Sequence, residues 1–217
     1  MPRPQITLKL ATSLDGKIAL ENGQSEWITG EKSRAQGRKL RARHDAIAIG
    51  SNTAVLDNPQ LTTRIAGGLD PIRVIFDTQL RLSPKSNLAL TAKQTPVWVF
   101  TKSAQADQAK ALKDLGVQLF EIPAAPKLDV AAALAVLKER GVSSLLLEGG
   151  GTLAASFIAL GVVDVIEWFR APIILGANGR SGIGPLELTD LSLAQRFNRI
   201  DLNELGDDVY ERYERAQ

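Results

Sequence analysis

The chain has 217 residues, 44% of them apolar, a net charge of +2, no cysteine and a single histidine. That length and apolar share suit one domain with a sizeable core, so residues 1–217 read as a single domain. The missing cysteines exclude disulfides, thiolate catalysis and Cys-ligated zinc, and with His44 the only histidine neither a metal cluster nor a Ser/His/Asp triad is expected. Lys and Arg are spread along the chain, which leaves no footprint for nucleic acid; no apolar run approaches a membrane span and no signal-peptide pattern opens the chain, so the cytoplasm is the expected compartment.

Ile6, Leu8 and Leu10 alternate with Thr7 and Lys9, the pattern of a strand with one buried face, and Asp15-Gly16 marks the turn after it. Lys9 points away from the aliphatics and reads either as a solvated strand residue or as a cation facing a cleft. Beyond Asn22-Gly23, Thr29 reads as the N-cap of a helix running to about His44. Arg34, Arg38 and Arg41 recur at i, i+4 and i+7 on it, a stripe suited to gripping a phosphate or to a wet face.

Ala46–Gly50 reads as a buried strand followed by a loop, in which Thr53 and Asp57 lie four apart and Asp57-Asn58-Pro59 stops any helix. Asp57 is then an Asx turn or a ligand contact beyond the strand's carboxyl end. Ile72–Asp77 and Pro96–Phe100 are further strands. Ser103 is placed to cap a helix carrying Ala109, Leu112 and Leu115 and ending at Gly116. A strand at 117–122 and a helix through Val130, Leu134 and Leu137, ending at Gly141, complete an alternation that argues for a mostly parallel sheet flanked by helices.

The stretch from Ser143 to Ile158 is the centre of this pattern: an apolar strand ends at Glu148, Gly149-Gly150-Gly151 makes a turn, and a helix starts with Leu153, Phe157 and Leu160 on one face. Glycines leave no Cβ between a ligand and the backbone, and a helix N-terminus offers N–H groups and a positive dipole end, so the turn is suited to phosphate. Glu148 at a strand's carboxyl end is a candidate substrate contact or a solvated rim residue. Val163–Phe169 is β-rich, Ala171–Gly176 leads into a loop over 177–184, and Phe197–Leu202 with Val209–Tyr213 reads as an antiparallel hairpin turning at Gly206.

Five motifs in order, Leu8 to Lys17, Ser25 to Thr29, Leu40-Arg41-Ala42, Thr53 through Leu61-Thr62-Thr63-Arg64, and Leu147 to Leu153, resemble the riboflavin-biosynthesis pyrimidine reductases, the domain that follows a zinc deaminase in the bifunctional bacterial enzyme. The resemblance covers about residues 5 to 213. It implies an α/β, dihydrofolate-reductase-like fold with an antiparallel C-terminal hairpin, NADPH as cofactor, and a homodimer. It also implies reduction of the ribosyl group of a 5-amino-6-(5-phosphoribosylamino)pyrimidine to the ribitylamino product.

Carried over residue by residue, the resemblance sets Thr12, Trp27, Thr53, Asp57 and Thr78 at the nicotinamide cofactor, and Gly150, Gly151, Thr152, Leu153, Ala154, Ala155 and Ser156 at its pyrophosphate. Ser25, Arg41, Leu61, Arg64 and Glu148 match substrate-contacting positions, and Lys9 stands where the family keeps a lysine near the sugar. The expected roles are Lys9 and Asp57 as polarising or proton-relaying groups, Glu148 on the ribose hydroxyls, and Arg41 and Arg64 on the phosphate. Arg34 and Arg38 have no counterpart and revert to a solvated face. His-x-Glu and Cys-x-x-Cys deaminase signatures are absent, which leaves open whether the substrate is the uracil or the diaminopyrimidinone. Asp77 points to NADH, while Thr78 and Arg81 point to a 2′-phosphate. The rival readings are a dihydrofolate or pterin reductase on the same fold and a non-catalytic NADPH-binding module.

Overall fold

Aliphatic runs closed by turn signals form the central strands of the computed structural model, which describes residues 2–103, 106–123 and 127–216. In chain order the elements are β1 (Gln5–Thr12), β2 (Lys17–Ala19), α1 (Glu31–Arg41), β3 (Ala46–Gly50), α2 (Ser51–Leu56), β4 (Ile72–Phe76) and α3 (Asn87–Leu90). There follow β5 (Val97–Thr101), α4 (Ala106–Asp114), β6 (Gln118–Glu121), α5 (Val130–Glu139), β7 (Ser144–Glu148) and α6 (Gly151–Ala159). The last are β8 (Val165–Arg170), β9 (Arg180–Ser181), a single 3₁₀ turn at Leu191–Leu193, β10 (Phe197–Leu205) and β11 (Asp208–Arg215). The chain falls into two units, the first Met1–Pro4 with Arg38–Gly149 and the second Gln5–Gly37 with Gly150–Gln217.

The first unit holds the parallel strands in the order β7-β3-β4-β5-β6, with Ala46 opposite both Leu145 and Ile72, Arg73 opposite Val97 and Trp98 opposite Gln118. Ala46 to Ile49 and Leu145 to Leu147 are buried without alternation, as strands covered on both faces must be. Phe100 lies between Phe76 and Phe120, with ring centroids 5.6 and 5.3 Å away. The Asp129 side chain caps α5 by accepting the Ala132 N–H at 3.1 Å. Because the strands are parallel, the ends of β3, β4, β5 and β7 open on one edge, where Gly50, Asp77, Thr101 and Glu148 sit. α2 occupies the segment after β3 that sequence alone reads as loop. Its one and a half turns are too short to show a period, and Asp57 is its C-cap.

The second unit orders its strands β1-β8-β11-β10, with β1 and β8 parallel and the C-terminal hairpin antiparallel to β8. The hairpin forms where expected but is longer, closing at Leu205 opposite Asp208 around Gly206 at φ +76°. β2 and β9 make a small antiparallel ladder, Lys17 opposite Ser181; β9 lies in the stretch 177–184 expected to be loop, and β2 follows the Asp15-Gly16 turn. Thr29 does not cap α1, which starts two residues later and ends at Arg41 rather than His44. Asp208 serves that end instead: its Oδ2 accepts the Gly30 N–H at 2.7 Å and the Ser33 hydroxyl at 2.6 Å, a negative charge at the positive end of the helix. On α6 the buried positions are Gly151, Ala154, Ala155, Phe157 and Ile158, while Leu160 is 45% exposed. The expected Leu153/Phe157/Leu160 face is therefore rotated, because the small residues let α6 approach the loop at 181–184, where Gly184 N–H donates to Gly151 O at 2.9 Å. α4 starts at Ala106, three residues after Ser103, and its capping position lies outside the described residues. No helix among the described residues is long and apolar enough to cross a membrane.

Candidate active site

At the open edge of the first unit, α1 delivers Arg41 and β7 delivers Glu148, and the two side chains meet as a bidentate pair. Arg41 Nε donates to Oε1 at 2.9 Å and Nη2 to Oε2 at 2.8 Å, while Nη1 donates to the Thr62 carbonyl at 3.0 Å. The side chains are 20% and 12% exposed. Burial works against the Arg41 charge, but the Glu148 carboxylate outweighs it, so the Arg41 pKa stands above its ordinary value. Sequence reading gave both residues to the substrate; the fold gives each to the other first, and this leaves Glu148 held in one plane by a rigid fork.

The Thr62 bond ties the pair to the loop that carries Leu61 and Arg64. Both have positive φ, 59° and 52°, and Asn58 has 40°, a cluster of left-handed non-glycine residues that local sequence does not favour. The loop persists because Leu61 is buried and because Asp70 Oδ1 accepts both the N–H and the hydroxyl of Thr63, at 2.7 and 3.0 Å. Asp70 was missed from sequence, since its partner is set by the loop's path rather than by any spacing. Arg64 is left exposed at the end of this braced turn.

Further along the same edge, Thr53 is half-buried on α2 and Asp57 is exposed at its end, its N–H bonded to Thr53 O at 3.1 Å. Thr78 follows β4 and is half-buried. Asp77 is 1% exposed, and its Oδ2 accepts the Leu82 N–H at 2.8 Å, so the carboxylate is turned into its own loop. Arg81 stands on the exposed side, its Nη1 donating to Asn52 Oδ1 at 2.7 Å at the start of α2. Asn52 is a second residue that sequence did not single out.

The three glycines of the central turn, Gly149 ending the first unit's share of the chain and Gly150 and Gly151 opening the second's, separate into different tasks. A Cβ on Gly149 would make ordinary contact with Gly50 N and Ile49 Cα, both 3.5 Å away; one on Gly151 would strike the Ser181 carbonyl and lie 3.0 Å from Gly184 N. Gly150 faces open space, has φ −60° and ψ 156°, and is the N-cap of α6 with no side chain in the cap. Thr152 is exposed, Leu153 and Ser156 are half-buried, and Gly151, Ala154 and Ala155 are packed inward, so of the α6 part of this run Thr152 alone is exposed. Thr12 is 1% exposed; its hydroxyl donates to Ser13 O and accepts the Trp168 indole N–H, both at 2.9 Å. Ser25 is exposed, and Trp27 is 71% exposed with the Arg34 guanidinium 4.4 Å from its ring centroid. Arg34 is thus engaged with Trp27, where sequence returned it to solvent. Lys9 is half-buried, its ammonium 5.8 Å from the Phe169 centroid.

Residues 4–209 match the family model described as the RibD C-terminal domain. The riboflavin biosynthesis protein RibD of Bacillus amyloliquefaciens is 37% identical over 212 residues, covering 95% of this chain and 56% of that protein, so the chain spans little more than half of that relative. A solved deaminase/5-amino-6-(5-phosphoribosylamino)uracil reductase from Thermotoga maritima superposes with a TM-score of 0.83 at 31% identity, over 99% of this chain and 57% of that one. Dihydrofolate reductase from Enterococcus faecalis, 13% identical, shares the fold with a TM-score of 0.54 over 98% of this chain and 97% of that one, so the fold is dihydrofolate-reductase-like.

Proposed function

Because the chain belongs to the RibD C-terminal-domain family, we propose that it is an NADPH-dependent pyrimidine reductase of riboflavin biosynthesis, with residues 1–217 acting as one reductase domain and the protein working as a homodimer. The family match runs through both units, which supports treating them as one functional domain. The substrate is a 5-amino-6-(5-phosphoribosylamino)pyrimidine, and the observation that carries this reading is Arg64. A cation held out to solvent on a strained loop, braced by Asp70 and by the Arg41–Glu148 pair, suits a phosphate and has no use in a reductase of unphosphorylated pterins.

The residues divide the work. Glu148, with its carboxylate plane fixed by Arg41, has remaining lone pairs to accept ribose hydroxyls, and Arg64 takes the 5′-phosphate. Lys9 supplies positive charge and a proton to the atom that gains electron density at the opened ribose, with Asp57 as a second relay. Ser25 and Leu61 border the substrate. The residues also fit NADPH: the uncapped N-terminus of α6 with open space over Gly150 suits the pyrophosphate, and Arg81 with Thr78 suits a 2′-phosphate, since Asp77 is turned away into its own loop. Thr12, Trp27, Thr53 and Asp57 border the nicotinamide half. When bound, the cofactor would supply the hydride that, with one proton to the nitrogen, converts the ring-opened C1′ imine to the ribitylamine.

The test is NADPH oxidation with the uracil and diaminopyrimidinone forms of the substrate and with dihydrofolate in parallel. Turnover of a phosphoribosyl substrate and none of dihydrofolate is expected. Dihydrofolate turnover alone means a pterin reductase, and NADPH binding without any turnover means a binding module. Sedimentation at the 23.4 kDa mass of one chain removes the homodimer.

A further inference from the structure

Lys9 belongs to a polar layer of the second unit that the reaction as described does not use. In the register of the sheet, Lys9 lies opposite Glu167, and Glu167 and Phe169 lie opposite Arg212 and Tyr210. Cross-strand partners share a sheet face, so Lys9, Glu167, Phe169, Tyr210 and Arg212 all project to one side. The Lys9 ammonium sits over the Phe169 ring, two positions beyond its own register partner, so the side chain leans toward the carboxyl end of β1. Its stem runs past α1, where a Cβ on Gly37 would stand 3.8 Å from Lys9 Cε.

The ring beneath the ammonium is itself fixed. Phe169 is fully buried and stacks on Tyr210 with centroids 5.1 Å apart. The Tyr210 hydroxyl donates to Glu167 Oε2, and Arg212 Nη1 lies 3.6 Å from Glu167 Oε1. Glu167 is 2% exposed and Tyr210 7% exposed. A buried carboxylate is costly unless its oxygens are occupied, and here they are occupied by a phenol and a guanidinium. Core packing alone requires only apolar residues at these positions, whereas a chain of polar and aromatic contacts that ends beneath an ammonium has a direction.

We propose that Glu167, Tyr210 and Phe169 are positioning residues for Lys9: Glu167 fixes the Tyr210 ring, Tyr210 fixes Phe169, and Phe169 holds the ammonium toward the carboxyl end of β1. This rests on the reading of Lys9 as the group that serves the opened ribose. The layer sets where the charge stands, so its loss lowers kcat and leaves KM and cofactor affinity almost untouched.

Two readouts test it, one of them free of substrate. After reductive 13C-methylation, which keeps the charge, the Lys9 resonance is assigned by its loss in Lys9→Arg. Its methyl protons are expected to be shifted upfield by the Phe169 ring current, less so in Tyr210→Phe, and not at all in Phe169→Leu. Tyr210→Phe removes one oxygen and no carbon, so it carries the test even if Phe169→Leu does not fold. In turnover, Tyr210→Phe should lower kcat about three- to tenfold, the scale of one net hydrogen bond, with KM unchanged within about twofold. The same change in a Lys9→Ala background should have no further effect, whereas a merely structural role costs the same in both backgrounds. An unshifted Lys9 resonance in the wild type, or equal losses in the two backgrounds, overturns the proposal. A Tyr210-dependent shift in a protein that turns over no phosphoribosyl substrate leaves the positioning standing and removes the reductase reading.

Discussion

Replacing Arg41 by Met keeps most of the side-chain volume and removes the guanidinium that grips Glu148. Breaking a fully buried pair costs about 3–5 kcal/mol, and an exposed pair is worth about 0.2–1 kcal/mol. With side chains 20% and 12% exposed, this pair lies nearer the buried limit, and a loss of about 2–3 kcal/mol is expected. The Thr62 carbonyl loses its donor as well, which loosens the loop holding Arg64. Glu148→Gln leaves a neutral acceptor and should cost about 1–2 kcal/mol. The double variant Arg41→Met/Glu148→Gln should then lose less than the sum, with a coupling of about 1.5–2 kcal/mol. Urea unfolding midpoints for the four proteins, at unchanged m, measure it. Arg41→Lys should recover little, since a point charge cannot replace two parallel N–H bonds. A coupling below about 0.5 kcal/mol would refute the view that the pair is a desolvated clamp rather than a surface contact.

The remaining expectations are quickly checked. Gly151→Ala drives a Cβ into the Ser181 carbonyl and should cost about 2 kcal/mol or more, while Gly150→Ala, facing open space, should melt within about 0.5 kcal/mol of the wild type. Gly150→Ala should still weaken NADPH binding about tenfold by fluorescence titration, and wild-type affinity would remove the pyrophosphate from this turn. Arg81→Ala should cut the NADPH over NADH preference in kcat/KM about ten- to a hundredfold; an unchanged ratio returns the choice of cofactor to other residues. At Asp45 burial favours the neutral acid, but the N–H groups of Ser143 and Ser144, at 2.8 and 2.9 Å, prevail and hold its pKa below the usual value. A depressed folded pKa adds stability above the unfolded value of about 3.9 and loses it as pH falls through the folded one. Asp45→Asn should therefore melt below the wild type at neutral pH, with the gap closing below about pH 4; a gap constant down to that range contradicts the assignment.

Periodicity made the strands of the main sheet, α5 and the hairpin legible, because burial on one face or two is written directly into which residues are apolar, whereas the short β2–β9 ladder carries no such pattern. Motif order pointed to the family, which the family match bears out, and to the candidate site residues, since a strand's carboxyl end and a glycine turn are local events. Interactions between distant positions were not legible. The carboxylate at the start of α1 comes from Asp208, 178 positions from Gly30, and the partner of Glu148 is Arg41, 107 positions away. No spacing rule reaches across such separations. The glycine turn shows the same division within three residues: composition admits a ligand at all of them, yet the path of the loop at 181–184 reserves Gly151 for packing and leaves Gly150 open. Chain chemistry thus determined which elements form and which residues are able to act. Tertiary structure alone decided which charges neutralise one another, because only the fold sets which side chains share a desolvated space, and a charge buried there must find its partner wherever the chain has placed it.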